Sequence, residues 1–306
     1  MTEKVYDVII IGAGMAGLTA AIYARRANKT VLILEGKVEG GQIITTFLVG
    51  NWPGEPGISG VDLMKKIYHH ANNLGAETAY EKVVEVKDLG DLKEIKTDEG
   101  SYKARAVIIA TGTESRKMEV SRESEFEGRG VFYCATCDGA FYEGKDVIVV
   151  GGGNSALYSA LYLAGIAKKV YVIHRREDFR ADAMLVDKVR AKGNVEFVMG
   201  SRPVEILGEE VLTGLVVENL AGEKREIPAT GVFVAVGRDP ETKVFEGLVE
   251  MDENGYIVAG EDCKTSVPGI FVAGDCRTKG FRQLVTAAAD GATAIYGIET
   301  FLNEQE

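Results

Sequence analysis

The sequence has few residues of several kinds: six prolines, four cysteines, three histidines and one tryptophan among 306 residues. Four cysteines in a chain of this length do not make a disulfide scaffold, so a reducing compartment is the default. The histidines are His69, His70 and His174, and none lies near a cysteine in sequence. A structural zinc site needs about four such ligands, so no metal is expected. Positive charge is in deficit as well: 35 Lys+Arg against 46 Asp+Glu give −11. That balance argues against nucleic acid or an anionic membrane surface as the main partner. Long apolar runs are also missing. The uncharged stretch from Val8 to Ala24 is 17 residues long and holds Gly12, Gly14, Gly17 and Thr19, whereas a spanning helix needs about 20 apolar residues. Met1 to Asp7 carries one Lys against one Glu and one Asp, not the net positive start of a secretory signal. The expectation is a cytoplasmic protein with no membrane span.

Glycine, by contrast, is abundant, at 37 residues against a usual share of about 7%. Without a three-residue period this is not collagen, and with so little proline it is not a linker. A hydrophobic share of 46% excludes disorder as the main state, and the length suggests about two domains.

The glycines mark a repeat. Val5 to Ile11 is a β-branched run that ends in Gly12-Ala13-Gly14-Met15-Ala16-Gly17. A helical stretch to about Ala27, a second apolar run from Val31 to Leu34, and Glu35 follow. The same unit recurs 139 residues later: a strand at Asp146 to Val150, then Gly151-Gly152-Gly153-Asn154-Ser155-Ala156, a helix from Leu157 to Ala167, and a strand from Val170 to Ile173. Aligned without gaps, residues 5–35 and 144–174 are identical at 10 of 31 positions. One GxGxxG is weak evidence, but two in register, each between a strand and a helix, point strongly to dinucleotide binding. The first glycine makes a tight turn, the second lets a pyrophosphate approach, and the third position must be small so that helix and strand pack closely. Ala156 fills that third place in the second copy. Amides at the helix N-terminus then hold the phosphate.

The copies differ at the end of the second strand. Glu35 can accept hydrogen bonds from a ribose diol. Its counterpart is His174, followed by Arg175, Arg176 and Arg180, an arginine cluster suited to a 2′-phosphate. The first copy therefore reads as a site for a dinucleotide with a free ribose, and the second as an NADP site.

Other elements are plainer. Val61 to Leu74 reads as an amphipathic helix stopped by Gly75, Val83–Val86 and Leu92–Ile95 as a hairpin, and Ala106–Ala110, Val232–Val236 and Ile270–Ala273 as strands. The strands end in Thr111-Gly112, Gly237 and Gly274-Asp275, and an alanine-rich helix begins near Leu284. Just ahead of the second glycine turn stands Cys134-Ala135-Thr136-Cys137. Two residues between cysteines suit a pair that cycles between dithiol and disulfide. Asp138 follows directly. It could shuttle a proton to a thiol if its pKa were raised, or it could simply form the turn before Gly139.

These segments, in this order and near these spacings, resemble low-molecular-weight bacterial-type thioredoxin reductases, the class II pyridine nucleotide-disulfide oxidoreductases. The resemblance covers essentially the whole chain and extends to Gly40-Gly41-Gln42, Asn51-Trp52-Pro53-Gly54, Ala110-Thr111-Gly112, Gly274-Asp275 and Arg282-Gln283. It implies an α/β protein of two Rossmann-like, FAD/NAD(P)-binding three-layer ββα domains. Residues 1–118 and 248–306 would form a discontinuous FAD domain, and 119–247 an NADPH domain carrying the redox pair, with hinges near Met118 and Leu248. It implies FAD contacts from Gly12, Gly14, Gly17, Glu35, Gly41, Gln42, Asn51, Thr111, Gly112, Asp275, Arg282, Gln283 and Leu284. NADPH contacts would come from Gly151, Gly153, Asn154, Ser155, Ala156, His174, Arg175, Arg176, Arg180 and Gly237.

The activity implied is NADPH-dependent reduction of the thioredoxin disulfide through FAD and Cys134–Cys137. Cys137 would face the flavin, Cys134 would attack the partner, and Asp138 would donate the proton. The resemblance further implies a homodimer whose partner is thioredoxin or a thioredoxin-like protein. The chain departs from the family at Ala140-Phe141-Tyr142, where two aromatics are usual, and at Ser121-Arg122-Glu123, Pro240-Glu241-Thr242 and Cys276. Competing readings are a reductase of another thioredoxin-like or peroxidase partner, and a non-enzymatic dinucleotide sensor. The CxxC pair speaks against the sensor.

Overall fold

The β-branched run Val5–Ile11 forms strand β1, buried from Val8 onward, and the glycine turn after it delivers the chain into helix α1 (Met15–Arg26) and strand β2 (Val31–Leu34). The computed structural model describes residues 4–46, 48–55 and 57–305. Helix α2 (Gly60–Asn73) begins where Ser59 Oγ accepts from the Asp62 amide at 3.0 Å, a side-chain N-cap. It ends before Gly75, whose φ of +88° suits glycine. Strands β3 (Glu77–Ala79), β4 (Val83–Asp88), β5 (Lys93–Thr97), β6 (Ser101–Ile109) and β7 (Thr113–Ser115) follow. Next come α3 (Glu123–Phe126), β8 (Val131–Phe132), α4 (Ala135–Asp138), β9 (Asp146–Val150), α5 (Asn154–Leu163), β10 (Lys169–Ile173), α6 (Ala183–Arg190) and β11 (Val195–Val198). The chain closes with β12 (Ser201–Leu207), β13 (Gly214–Asn219), β14 (Lys224–Pro228), β15 (Gly231–Val234), β16 (Arg238–Pro240), β17 (Ile270–Val272) and α7 (Leu284–Asn303).

Two compact units result. The first takes Met1–Ile44, Ile58–Glu114 and Asp239–Glu306, and is therefore discontinuous; the second takes Thr45–Gly57 and Ser115–Arg238. The chain passes between them at 44/45, 57/58, 114/115 and 238/239; the last two lie ahead of Met118 and Leu248, the second by about ten residues. That Thr45–Gly57 groups with the second unit was not legible in the sequence.

In the first unit, β3, β2, β1 and β6 run parallel in that order. β6 carries two neighbours on its far edge. Its start pairs antiparallel with β5 (Lys93 opposite Ala104), and its end pairs parallel with β17 (Ile270 opposite Val107). One face of the sheet buries Ile9, Ile11, Leu32, Leu34, Val107 and Ile109 together with Val86 and Ile95 of the β4–β5 hairpin. The C-terminal helix α7 packs on α1 at Gly291, where a Cβ would lie 2.2 Å from the Ala16 carbonyl oxygen. Only a residue without a side chain permits that approach.

The second unit repeats this plan. Its sheet has the order β11-β10-β9-β15-β8, all parallel, beside an antiparallel sheet β12-β13-β14. Alternation along each strand sorts side chains to two faces. Ile148, Val150, Ile173 and Val232 meet Leu215 and Ile227 of the antiparallel sheet. Val147, Val149, Val172 and Phe233 meet Ala156, Leu157 and Leu163 of α5. This is the three-layer ββα arrangement expected from the resemblance. The duplication is deeper than 31 residues suggest, because the strand orders of both parallel sheets match. The outer strand is supplied differently: β17 follows β6 in the chain, whereas β8 precedes β9 and β15.

Candidate functional site

In the first unit two of the three turn glycines have steric reasons within the protein. Gly12 has φ +109°, and a Cβ there would lie 2.5 Å from the Ala110 carbonyl oxygen. A Cβ on Gly17 would lie 1.9 Å from the Gly12 carbonyl oxygen, so helix and strand touch there. Gly14 is different: nothing lies within 4 Å of its Cβ position. It is the N-cap of α1 and supplies no side-chain cap, so the helix opens on a bare cradle of the kind that holds a pyrophosphate. Gly41, at φ +64°, would place a Cβ 3.5 Å from the Gly14 Cα, and the Gly40 amide donates to the Ala13 carbonyl at 2.9 Å. The 40–42 segment therefore lies beside the turn.

The remaining residues of the first set gather at the ends of the same strands. Glu35, at the end of β2, accepts from the amides of Ala13 (2.7 Å) and Lys37 (2.9 Å). Two residues past the end of β6, Thr111 has its Oγ1 buried beside the Cys276 thiol and, among the described residues, without a partner at ordinary hydrogen-bond geometry, so a ligand can satisfy it. Gln42 Nε2 donates to Thr113 Oγ1 at 3.3 Å. Gly112 takes φ +72°, and its carbonyl accepts from the Glu241 amide. Arg282 donates from Nε to the Asp275 carbonyl at 3.2 Å, and its guanidinium lies 4.3 Å over the Tyr256 ring, an aromatic the sequence did not mark. Gln283 is the N-cap of α7 and forms a capping box with Thr286, which places Leu284 at the first helical position. Asn51 lies outside this group, in Thr45–Gly57.

The second unit repeats the steric logic. Gly151 (φ +144°) would place a Cβ 2.3 Å from the Ala235 carbonyl oxygen, while Gly153, the N-cap of α5, has nothing within 4 Å. Ala156 is fully buried at the third position. Asn154 exchanges two hydrogen bonds with Asp182, at 3.0 and 2.8 Å, and Ser155 is exposed. The His174 ring lies over Gly152, where a Cβ would fall 2.2 Å from Nδ1. It stacks on Phe179 with a centroid distance of 5.7 Å and an interplanar angle of 8°. Burial, followed by the neighbouring Arg176, Arg175 and Arg180, holds the His174 pKa below its ordinary value. The side chains of Arg175, Arg176 and Arg180 are exposed, and none pairs with a carboxylate among the described residues. Gly237 (φ +130°) stands against Arg116, where a Cβ would lie 3.2 Å from the arginine Cδ.

Cys134 and Cys137 are joined by a disulfide with a Cα–Cα distance of 5.3 Å. Cys134 is the N-cap of the short helix α4, and its carbonyl accepts from the Cys137 and Asp138 amides at 3.3 and 3.1 Å. Asp138 is 6% exposed, and burial pushes its carboxyl up to about 7. It therefore can hold and release a proton near neutral pH, which a turn residue has no need to do. Beneath it, Tyr142 packs edge-on against Phe132 and Phe233, with centroids 5.5 Å away in each case. Phe141 points outward, 42% exposed. Cys263 and Cys276 are buried and reduced, and burial pushes their thiols up to about 12 and about 11, far from a reactive thiolate.

Two dinucleotide turns and a CxxC pair beside a carboxyl group poised near neutrality define a flavin-linked disulfide oxidoreductase. The chain matches the family described as "Pyridine nucleotide-disulphide oxidoreductase" over residues 6–291, and it belongs to that family. It is 45% identical over 304 residues to the thioredoxin reductase of Listeria monocytogenes serovar 1/2a, covering 99% of this chain and 95% of that one. It is equally similar to the thioredoxin reductase of Bacillus subtilis, with 99% and 96% covered. Among solved structures, the thioredoxin reductase of Streptococcus pyogenes superposes with a TM-score of 0.94 at 41% identity, covering 99% of this chain and all of that one.

Among the described residues, no helix is long and apolar enough to cross a membrane, and no group of His, Cys, Asp or Glu could hold a metal ion.

Proposed function

We propose that this chain is an NADPH-dependent thioredoxin reductase with FAD on the first unit and NADPH on the second. The observation that carries the reading is the pair of open cradles at Gly14 and Gly153, where a Cβ meets nothing within 4 Å, each beside a different strand-end partner. Glu35 suits a free ribose, and the three exposed arginines suit a 2′-phosphate. The buried Thr111 hydroxyl, with room for a further hydrogen bond, fits a bound FAD. Homodimerisation and a cytoplasmic setting follow from the family resemblance and belong to the same proposal.

FAD, when bound, supplies the two-electron transfer that connects nicotinamide to a disulfide. The chain's own residues do the rest. The glycine turns hold pyrophosphates at the starts of α1 and α5, and the arginines at 175, 176 and 180 select the phosphorylated ribose. Once the Cys134–Cys137 disulfide is reduced, the Cys134 thiolate attacks the partner's disulfide and one partner sulfur leaves as thiolate. Cys137 then attacks the Cys134 sulfur, releases the second partner thiol and restores the Cys134–Cys137 bond. Two electrons have moved to the partner, and Asp138 delivers a proton to a departing thiolate.

The partner is thioredoxin or a thioredoxin-like protein. With Tyr142 buried in the aromatic cluster, Phe141 is the outward aromatic beside the redox pair. The absorption spectrum tests the reading: the purified protein should show a flavin band that bleaches on adding NADPH. A colourless protein that takes up no added FAD would contradict it and favour a sensor.

A further inference from the structure

The segment from Gly274 to Gln283 joins β17 to α7 and carries Asp275 and Arg282, two of the residues read above as flavin contacts. One buried carboxylate holds it. Asp290, inside the alanine-rich stretch of α7, is 5% exposed. Its Oδ2 accepts from the Gly274 amide (2.9 Å), from Arg277 Nε (2.9 Å) and from Lys279 Nζ (2.8 Å), and its Oδ1 accepts from Arg277 Nη2 at 2.8 Å. A carboxylate has room for about four such bonds. Here all four donors come from the same six-residue stretch, so the group's capacity is directed at one segment.

The hold extends to both proposed contacts. Gly274 sits at φ +85°, with its Cβ position 3.0 Å from the Ala16 Cβ on α1. The Asp290 bond therefore fixes the strained turn just before Asp275. The Arg277 carbonyl accepts from Arg282 Nη2 at 3.1 Å, and Arg282 Nε reaches the Asp275 carbonyl at 3.2 Å. Arg277 is only 2% exposed, and the Lys279 side chain 5%. Glu261 lies 3.6 Å from Arg277 but is 96% exposed, too well solvated to offset the second buried cation. Two cations on one buried carboxylate are a costly way to secure stability alone, since apolar packing serves as well or better. They are an effective way to fix backbone geometry.

We propose that Asp290 is a positioning residue of the FAD site, acting through Gly274 and Arg277 on Asp275 and Arg282. This rests on reading the first unit as the FAD site. The test is titration of the apoprotein with FAD, read by quenching of flavin fluorescence, beside a thermal melt. Asp290→Asn should raise the FAD dissociation constant at least about tenfold, equivalent to about 1.4 kcal/mol. Its retention on a 2′,5′-ADP matrix, which probes the second unit, should be unchanged. Leu302→Ala, a buried truncation near the other end of α7, is the stability control; it should lower the melting temperature and keep the parent affinity for FAD. A folded Asp290→Asn protein that binds FAD within twofold of the parent would overturn the proposal. Should Asp290→Asn not fold, Lys279→Met keeps the Arg277–Asp290 pair and should raise the constant about threefold or more; an unchanged constant would overturn it equally. A parent apoprotein that takes up no FAD would overturn the FAD reading itself.

Discussion

Glu35 accepts a hydrogen bond from the Ala13 amide at 2.7 Å, and 139 residues further on the same two positions are His174 and Gly152, with the histidine ring over the glycine. One strand-end residue grips the turn; the other covers it. The substitution at the strand end thus dictates what the turn can carry. Alanine is tolerated at position 13, whereas a Cβ at 152 would fall 2.2 Å from His174 Nδ1.

Gly152→Ala should therefore displace His174 from its stack on Phe179 and loosen the arginine segment behind it. We expect the KM for NADPH to rise about tenfold or more, with FAD content unchanged; steady-state kinetics beside the flavin absorbance ratio checks both. Ala13→Gly should leave NADPH kinetics alone and cost no more than about 1 kcal/mol of stability.

Two of the three glycine positions of the first turn separate folding from binding. Gly17→Ala forces a Cβ to 1.9 Å from a backbone oxygen and should destabilise the apoprotein by several degrees or prevent folding. Gly14→Ala meets nothing in the protein, so its apoprotein should melt within about 1 kcal/mol of the parent yet bind FAD far more weakly. Thermal melts of apo and FAD-loaded protein distinguish the two.

Asp138 predicts a pH signature. Burial raises its carboxyl from 3.8 to about 7, so the folded state keeps a proton that the unfolded chain releases. The stability this group contributes is complete below about pH 4 and is lost as pH rises through about 7. Asp138→Asn removes that loss, so the variant should gain in melting temperature relative to the parent at pH 8 and not at pH 4. Reduction of a protein disulfide by the variant should fall by about a hundredfold and lose the parent's decline above pH 7.

The arginine cluster predicts coenzyme choice. Replacing Arg175, Arg176 and Arg180 together by alanine should lower kcat/KM for NADPH by about tenfold to a hundredfold per lost charge-assisted bond. NADH turnover should change little. Comparable losses with both coenzymes would mean that the cluster does not read the 2′-phosphate.

Much of this was legible because backbone demands leave marks in the sequence. The strands at Val5–Ile11, Val31–Leu34 and Asp146–Val150 are apolar runs rich in β-branched residues, the first and third ending at glycines with positive φ, and their bounds come out as expected. Helix α5 begins at Asn154 rather than Leu157 and stops at Leu163 rather than Ala167, because the glycine turn itself is the N-cap and Gly165 lies just beyond the end. Strands β12 to β14 escaped notice: Ser201–Leu207 is half-exposed and interrupted by Pro203, and Lys224–Pro228 is mostly exposed, charged and ends in proline, so no clean alternation marks them. The Asp290 cluster left one trace, an acid in the alanine-rich first half of α7, and a single sequence does not show that Arg277 and Lys279 fold back onto it.

The central claim is that electrons from NADPH leave the protein through Cys134. The direct measurement compares thioredoxin-disulfide reduction and flavin bleaching by NADPH in the parent and in Cys134→Ser. The account predicts one NADPH consumed per disulfide reduced by the parent. The variant's flavin should still bleach with NADPH, with no thioredoxin reduced. Thioredoxin reduction by Cys134→Ser at the parent rate would contradict it.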